Sequence, residues 1–349
     1  MRSCRCTLSA LVLAVLASPL TLHAQAPAPA LHVHGNEILT SDGHPFRLRG
    51  VSHSGTEFSC VQGKGIFNGP SDSAAIAAIA AWKSTVVRVP FNESCWLGIN
   101  GVDSASSGRA YQRAIAAYVH RINTQGMIVI LDLHWTAAGA TRADSQQAMP
   151  NRDHTPELWR QVAAAFKGND AIIFDLFNEP FPDAMGTGDE AWRCWRDGGR
   201  CAHLSYEAAG MQELVDAVRG TGATNILLLG GVHYSANLNG WLTHMPRDPR
   251  HNLAASWHVY NFSGCHERQC WENEAAPVGK QVPLVLGELG EDDHKTDFVA
   301  SMLDWMDARQ GHYLAWTWNR WGQPFDVIAD YSGAPTGYGA LFREHFAKP

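Results

Sequence analysis

Two glutamates, Glu179 and Glu288, each stand where an apolar stretch stops. Residues 171–177 run into Asn178-Glu179-Pro180, and residues 283–286 run into Gly287-Glu288. An acid among apolar neighbours tends to keep its proton, because burial penalises the charged form. A second acid held ionised can attack an electrophilic carbon or activate water. Other apolar stretches stop at Arg88, at His134, at His258 with Tyr260, and at Trp318 with Asn319. Arginine and tyrosine keep a nearby carboxylate charged, and tryptophan offers a flat face to a sugar ring. Together these residue types suit glycosidic hydrolysis, where one carboxylic acid protonates the leaving oxygen and a second carboxylate attacks the anomeric carbon or activates water. Singly, each has a plain structural use: Arg88 as partner of an internal acid, His134 as an interior histidine, Trp318 as core. Their recurrence at most of the strand ends is hard to explain by packing.

The elements that must carry them are short apolar strands over 46–51, 85–90, 127–133, 171–177, 225–229, 253–259, 283–286 and 313–318. Helical periodicity lies between them, at 74–82, 108–124, 156–166, 206–219 and 295–308. Eight strands largely alternating with helices predict a (β/α)8 TIM barrel. Side chains at the carboxyl ends of such strands face the active-site mouth. No Gly-x-Gly-x-x-Gly follows the first strand, which disfavours a doubly wound nucleotide fold. Residues 31–48 read as an N-terminal β-hairpin turning at Ser41-Asp42-Gly43. Asp132 and Asp175 are read as barrel-wall groups out of phase with the site. Glu291, Asp292 and Asp293 are read as a solvated loop or helix start.

The chain has 349 residues, 45% of them hydrophobic, enough for one large core. Its net charge of −7 with no basic tract disfavours nucleic acid or an anionic membrane as partner. Arg2 and Arg5, the apolar run 8–16 and the small residue Ala24 read as a signal peptide over 1–24. That run is too short to be a membrane anchor. A linker over 25–30 and a single catalytic domain over 31–349 follow, in a secreted protein expected to act as a monomer.

Of eight cysteines, Cys4 and Cys6 leave with the signal. The even number that remains favours disulfides in an exported chain. Cys194 with Cys201 and Cys265 with Cys270 are near enough to pair locally, which leaves Cys60 with Cys95. Structural zinc is the rival, yet no pair has the Cys-x2-Cys spacing. His32 and His34 lack a third ligand, so no metal or other cofactor is expected. Asn92-Glu93-Ser94 and Asn261-Phe262-Ser263 match the glycosylation pattern, and neither is given weight.

From Arg49-Gly50-Val51 to Trp316-Thr317-Trp318-Asn319 the chain resembles glycoside hydrolase family 5, retaining enzymes of the cellulase-type clan with (β/α)8 barrels. Asn178-Glu179-Pro180 after an apolar strand is the most specific element, supported by Gly287-Glu288. The resemblance implies Glu179 as acid/base and Glu288 as nucleophile. It implies Asn178 on the sugar 2-hydroxyl, Arg88 and Tyr260 orienting Glu288, His134 and His258 lining the subsite of the attacked sugar, and Trp318 as its stacking platform. The first loop, with Ser54-Gly55-Thr56-Glu57 and Cys60, departs from the best-known cellulases. The expected partner is an oligo- or polysaccharide, foremost a β-linked glucan. Mannan, xyloglucan, or exo action on short or furanosidic glycosides are alternatives, and the cysteine-bearing loops would favour exo action if they walled the cleft. A non-catalytic carbohydrate-binding barrel and a metal-dependent hydrolase are rivals from other classes.

Overall fold

The structure, a computed structural model, describes residues 27–183, 186–293 and 295–349. The expected signal peptide lies outside the described residues, as does the start of the linker. Among the described residues twelve strands occur: β1 Leu31–His34, β2 Glu37–Thr40, β3 Arg49–Ser52, β4 Val86–Asn92, β5 Ile128–Trp135, β6 Ile172–Asp175, β7 Gly198–Arg200, β8 Glu207–Ala209, β9 Leu227–Gly230, β10 Leu253–Tyr260, β11 Leu284–Gly290 and β12 His312–Ala315. Eight of them close a barrel in the order β3-β4-β5-β6-β9-β10-β11-β12 and back to β3. Every neighbouring pair is parallel. Helices including Arg109–Thr124, Thr155–Phe166 and Asp297–Asp307 lie between the strands. Arg109–Thr124 buries Tyr111, Ile115, Tyr118, Val119 and Ile122, one stripe at helical spacing. The chain is thus a (β/α)8 barrel, as its strand–helix alternation predicts.

Strand residues alternate between two cores. Val87 and Val89 of β4 pack outward with helix residues such as Ile115 and Val119. Val86, Ile128, Ile130, Ile173, Leu228, Ala254, Val285 and Leu314 form a second cluster with Leu31, Ile38 and Leu48. The N-terminal hairpin therefore plugs the barrel, and burial of Leu31 and Ile38 holds it there. The end of the linker is docked too: Ala28 N donates to Asn123 O and Leu31 N to Asp170 O, each at 2.9 Å.

Three details differ from the sequence reading. The hairpin reverses between His34 and Glu37, with Gly35 at φ +61°, a left-handed turn suited to glycine. Ser41-Asp42-Gly43 instead makes a second turn, in which Thr40 N donates to His44 O. The helix expected over 206–219 is Met211–Arg219, because 207–209 pair with β7 beside the Cys194–Cys201 bridge. The last strand stops at Ala315. The disulfides are Cys60–Cys95, Cys194–Cys201 and Cys265–Cys270, the pairs that the spacing suggests.

Candidate active site

Above the apolar plug the inward positions become charged. Arg88 lies two residues after Val86, on the same face of β4, and is fully buried. Its Nε donates to Asp175 Oδ2 at 3.1 Å, Nη2 to Asn178 Oδ1 at 2.7 Å, and Nη1 to Glu288 Oε1 at 2.6 Å. Nη2 also lies 3.0 Å from Asp132 Oδ1. Burial alone would weaken the charge of Arg88, but Asp132, Glu288 and Asp175 overcompensate and raise its pKa. Burial raises that of Asp175, with Arg88 opposing. The reading of Asp132 and Asp175 as barrel-wall groups is therefore corrected. Asp132 is two residues from His134 and shares its inward face, and that spacing was the signal.

Asp132 Oδ2 lies 2.6 Å from His134 Nδ1. Burial works against a charged His134, yet Asp132 prevails and moves it up to about 9. At neutral pH His134 is an imidazolium. The opposite holds for His258, which burial pushes down to about 4 despite Glu288. His134 on β5 and His258 on β10 are thus shifted in opposite directions.

The two glutamates have different partners. Glu288 Oε1 accepts from Arg88, and Oε2 accepts from Tyr260 Oη at 2.6 Å. Glu179 Oε2 accepts from Gln146 Nε2 at 3.0 Å, and its Oε1 lies 3.0 Å from His258 Nδ1. Burial raises the Glu179 pKa against the pull of Gln146, His134 and Arg88. That same nitrogen of His258 is 3.8 Å from Glu288 Oε2. The facing carboxylate oxygens of Glu179 and Glu288 lie within 4.8 Å of each other.

A cavity of about 520 Å³ opens over this pair, with His134, Asn178, Glu179, His258, Tyr260 and Glu288 in its lining. Seven of the eight residues expected at the site therefore assemble, Arg88 beneath the floor and six around it. Trp318 does not. It is 1% exposed and packs edge-on against Trp82 at 4.8 Å. Because the strand ends at Ala315, the backbone leaves the ladder and Trp318 N donates to Ser52 O, turning its ring toward the outer layer. Trp316 lines the cavity instead and stacks on His134 at 5.6 Å.

The sequence reading missed Gln146, His233, Tyr234, Phe262 and Phe325, which also line the cavity. They sit on loops, where no period marks which way a side chain points. Glu57, on the first loop, is buried and accepts from Ser54 Oγ and from Gly55 N at 2.6 Å. Burial raises its pKa, with the nearby His134 charge opposing. Glu291 is buried, not solvated, and accepts from Val299 N at 3.1 Å near the start of the helix Asp297–Asp307.

A parallel barrel with one buried acid whose pKa burial raises, a second carboxylate clamped by Arg88 and Tyr260, and one shared cavity at its carboxyl mouth defines a class, the barrel hydrolases that work with a carboxyl pair. Within that class the chain belongs to the cellulase family, glycosyl hydrolase family 5, whose profile matches residues 39–322. It is a glycoside hydrolase. A mannan endo-1,4-β-mannosidase from Streptomyces lividans is 25% identical over 318 residues, covering 88% of this chain and 71% of that protein. An endoglucanase from a Microbulbifer species is 22% identical over 319 residues, covering 86% and 52%. Among solved structures, a β-glucanase from Saccharophagus degradans superposes with a TM-score of 0.70 at 17% identity, covering 95% of this chain and 97% of that one. That last likeness bears on the fold.

Proposed function

We propose that the protein is a secreted, retaining, endo-acting β-glycosidase of β-linked glucan, working by double displacement. The observation that carries the mechanism is the approach of the two acids, whose facing oxygens lie within 4.8 Å. Retaining enzymes hold their carboxyls about 5–5.5 Å apart, whereas an inverting pair stands about 6.5–9.5 Å apart to admit a water. Glu288, oriented by Arg88 and Tyr260, attacks the anomeric carbon and forms a glycosyl-enzyme. Glu179, whose protonated form burial favours, gives its proton to the departing oxygen. Once Glu288 is esterified its charge is gone, so Glu179 becomes a stronger acid and then serves as the base that activates water. Asn178, fixed by Arg88 through its oxygen, turns its amide to the sugar 2-hydroxyl. His134 and His258 bracket the ring, and Trp316 takes the stacking role expected of Trp318.

Endo action is supported by the rim. Tyr234, Phe262 and Trp321 are 39%, 62% and 36% exposed, three of the four exposed large apolar side chains among the described residues. Tyr234 stacks on Phe181 at 4.4 Å in one sector, and Trp321 packs with Phe58 in another. Several separate platforms suit a long chain better than a short glycoside. Three disulfides support export. The test is a panel of glucans, mannan, xyloglucan and aryl glycosides, with products sized early and proton NMR of the first anomer formed. Internal cleavage of glucan with a β-anomer first is expected. An α-anomer first would overturn the mechanism, and preference for mannan or for terminal residues would overturn the substrate assignment.

A further inference from the structure

Asn92-Glu93-Ser94 matches a glycosylation pattern, yet all three residues are fully buried. None lines the cavity. Their side chains instead hold the loop that follows β5. Asn92 Nδ2 donates to Ala143 O at 2.7 Å and to Glu57 O at 2.7 Å, and Ser94 Oγ accepts from Ala143 N at 3.0 Å. Glu93 spans the loop from start to end. Its Oε1 accepts from Ala137 N at 3.2 Å and from Asn151 Nδ2 at 2.7 Å, and its Oε2 accepts from Thr155 Oγ1 at 2.6 Å.

That loop touches the chemistry at one place. Gln146 Nε2 donates to Glu179 Oε2 at 3.0 Å and to Glu179 O at 3.2 Å. Two residues further on, Ala148 O accepts from Phe181 N at 2.8 Å. The loop therefore grips the side chain of Glu179 and the backbone just past it. Gln146 is half-buried and holds its contact only while the loop stays in place. A carboxyl buried among neutral donors is costly unless its hydrogen bonds are made. Glu93 makes three, and burial still pushes it up to about 7.

We propose that Asn92-Glu93-Ser94 is an internal clamp, centred on Glu93, that positions Gln146 against Glu179. Through that contact it sets the protonation of the acid/base. Glu93 is a positioning residue, 0% exposed and acting at a distance through the loop. The inference rests on Glu179 being the acid/base. Glu179 also feels His258, Glu288, His134, Arg88, Asp132 and Tyr260, which the clamp does not move. Glu93 itself faces His154 and Tyr206.

The test is the alkaline limb of kcat/KM against pH, which reports the acid group of the free enzyme. Loss of a donor to the Glu179 carboxylate raises its pKa, so Gln146→Ala moves the limb up by about one pH unit. Glu93→Ala moves it the same way. Glu93→Ala with Gln146→Ala together lies within about twofold of Gln146→Ala alone, because both act through one contact. Glu93→Gln, which keeps an acceptor oxygen, restores the limb. A Glu93→Ala enzyme that melts earlier but keeps the parental limb would overturn the proposal, as would effects of the two changes that multiply. If Glu93→Ala does not fold, Thr155→Val removes one donor and is read the same way; an unmoved limb there overturns the proposal. The role of Glu179 is tested separately by rescue of Glu179→Ala with azide on an aryl glycoside. Absence of rescue removes the acid/base reading, whereas rescue with an unmoved limb removes the clamp alone.

Discussion

Around Glu288 the partners come from barrel strands, whereas Glu179 is held by Gln146 from a loop and by His258 from β10. On the strand side the forces are charged and fully buried, with one guanidinium among Asp132, Asp175 and Glu288. Barrel register fixes their spacing, Asp132 of β5 lying level with Asp175 of β6. On the loop side the amide of Gln146 is neutral and its position is set by clamps elsewhere. The difference matches the two tasks proposed for these glutamates. A nucleophile must stay ionised and aimed, which fixed charges accomplish, while an acid/base must gain and lose a proton, which a neutral donor permits.

The sharpest break removes one acid at a time. Glu288→Gln should abolish turnover on every substrate, because no other carboxylate among the described residues lining the cavity, apart from the proposed acid/base Glu179, could take the attacking role proposed for it. Glu179→Gln should lower turnover of polysaccharide by about 10²–10⁴-fold, the usual worth of general acid catalysis. It should cost far less on an aryl glycoside whose leaving group needs no proton. Equal losses on both substrates would mean that Glu179 is not the acid. Both variants should keep the parental circular dichroism.

The second break is in stability. Arg88→Met leaves three buried carboxyls without their cation, and breaking such a group costs about 3–5 kcal/mol. Gln146→Leu loses one neutral donor at a half-buried position, and about 0.5–1.5 kcal/mol is expected. Urea denaturation measures both. A smaller loss for Arg88→Met than for Gln146→Leu would contradict the contrast drawn between the two halves.

The strand half was legible in the sequence and the loop half was not. Along a strand the period of two fixes which residues face inward, so Arg88, His134, His258 and Glu288 emerge from the pattern of apolar runs. Asp132 obeyed that rule as well, and reading it as out of phase was a miscount of the same period. Trp318 shows where the rule stops. Beyond Ala315 the regular strand period ends, and the tryptophan that faces the cavity is Trp316. Gln146 is 33 residues from Glu179 on a segment with no period, and only the tertiary clamp brings it there. The hairpin plug was half legible: a hairpin was read, but its turn was read at Ser41-Asp42-Gly43, whereas the strands reverse at Gly35-Asn36.

A third test separates the halves by pH. His134, on the strand side, is raised from 6.5 to about 9. Its stabilising contribution is complete below about pH 6.5 and is lost as pH rises through 9, up to about 3 kcal/mol. Glu93, on the loop side, is raised from 4.5 to about 7. It costs nothing below about pH 4.5, where both states are protonated, and its penalty grows to completion near pH 7. Thermal midpoints of Glu93→Gln minus parent should therefore climb between pH 4.5 and 7 and then level off. Those of His134→Gln minus parent should stay flat to about pH 6.5 and climb toward 9. Taking differences removes the titration of His53, His258 and His312, which burial lowers to about 4 in every variant that retains them. Coincident windows would mean that the two groups are not independent.

The smallest effects belong to the rim, and they sharpen the comparison by separating binding from chemistry. Tyr234 lines the cavity and packs on Phe181, whereas Trp321, outside that lining, packs on Phe58 of the first loop. A sugar stacked on either ring gains about 0.5–1.5 kcal/mol beyond its buried area. Tyr234→Ala and Trp321→Ala should then each raise KM for polysaccharide by roughly 2–10-fold. Neither should change kcat by more than about twofold, because binding lost equally from ground and transition states leaves the chemical step alone. The two losses should add in free energy, since the platforms share no partner. They should also redistribute products. Removing one platform weakens only those binding registers that place a sugar on it, so the two variants should release different sets of short oligosaccharides from the same glucan. Identical product profiles would mean that both rings contact the same stretch of chain. A fall in kcat comparable to the rise in KM would mean that a rim residue helps to aim the reacting sugar, and the division between strand-borne chemistry and loop-borne binding would fail at that residue.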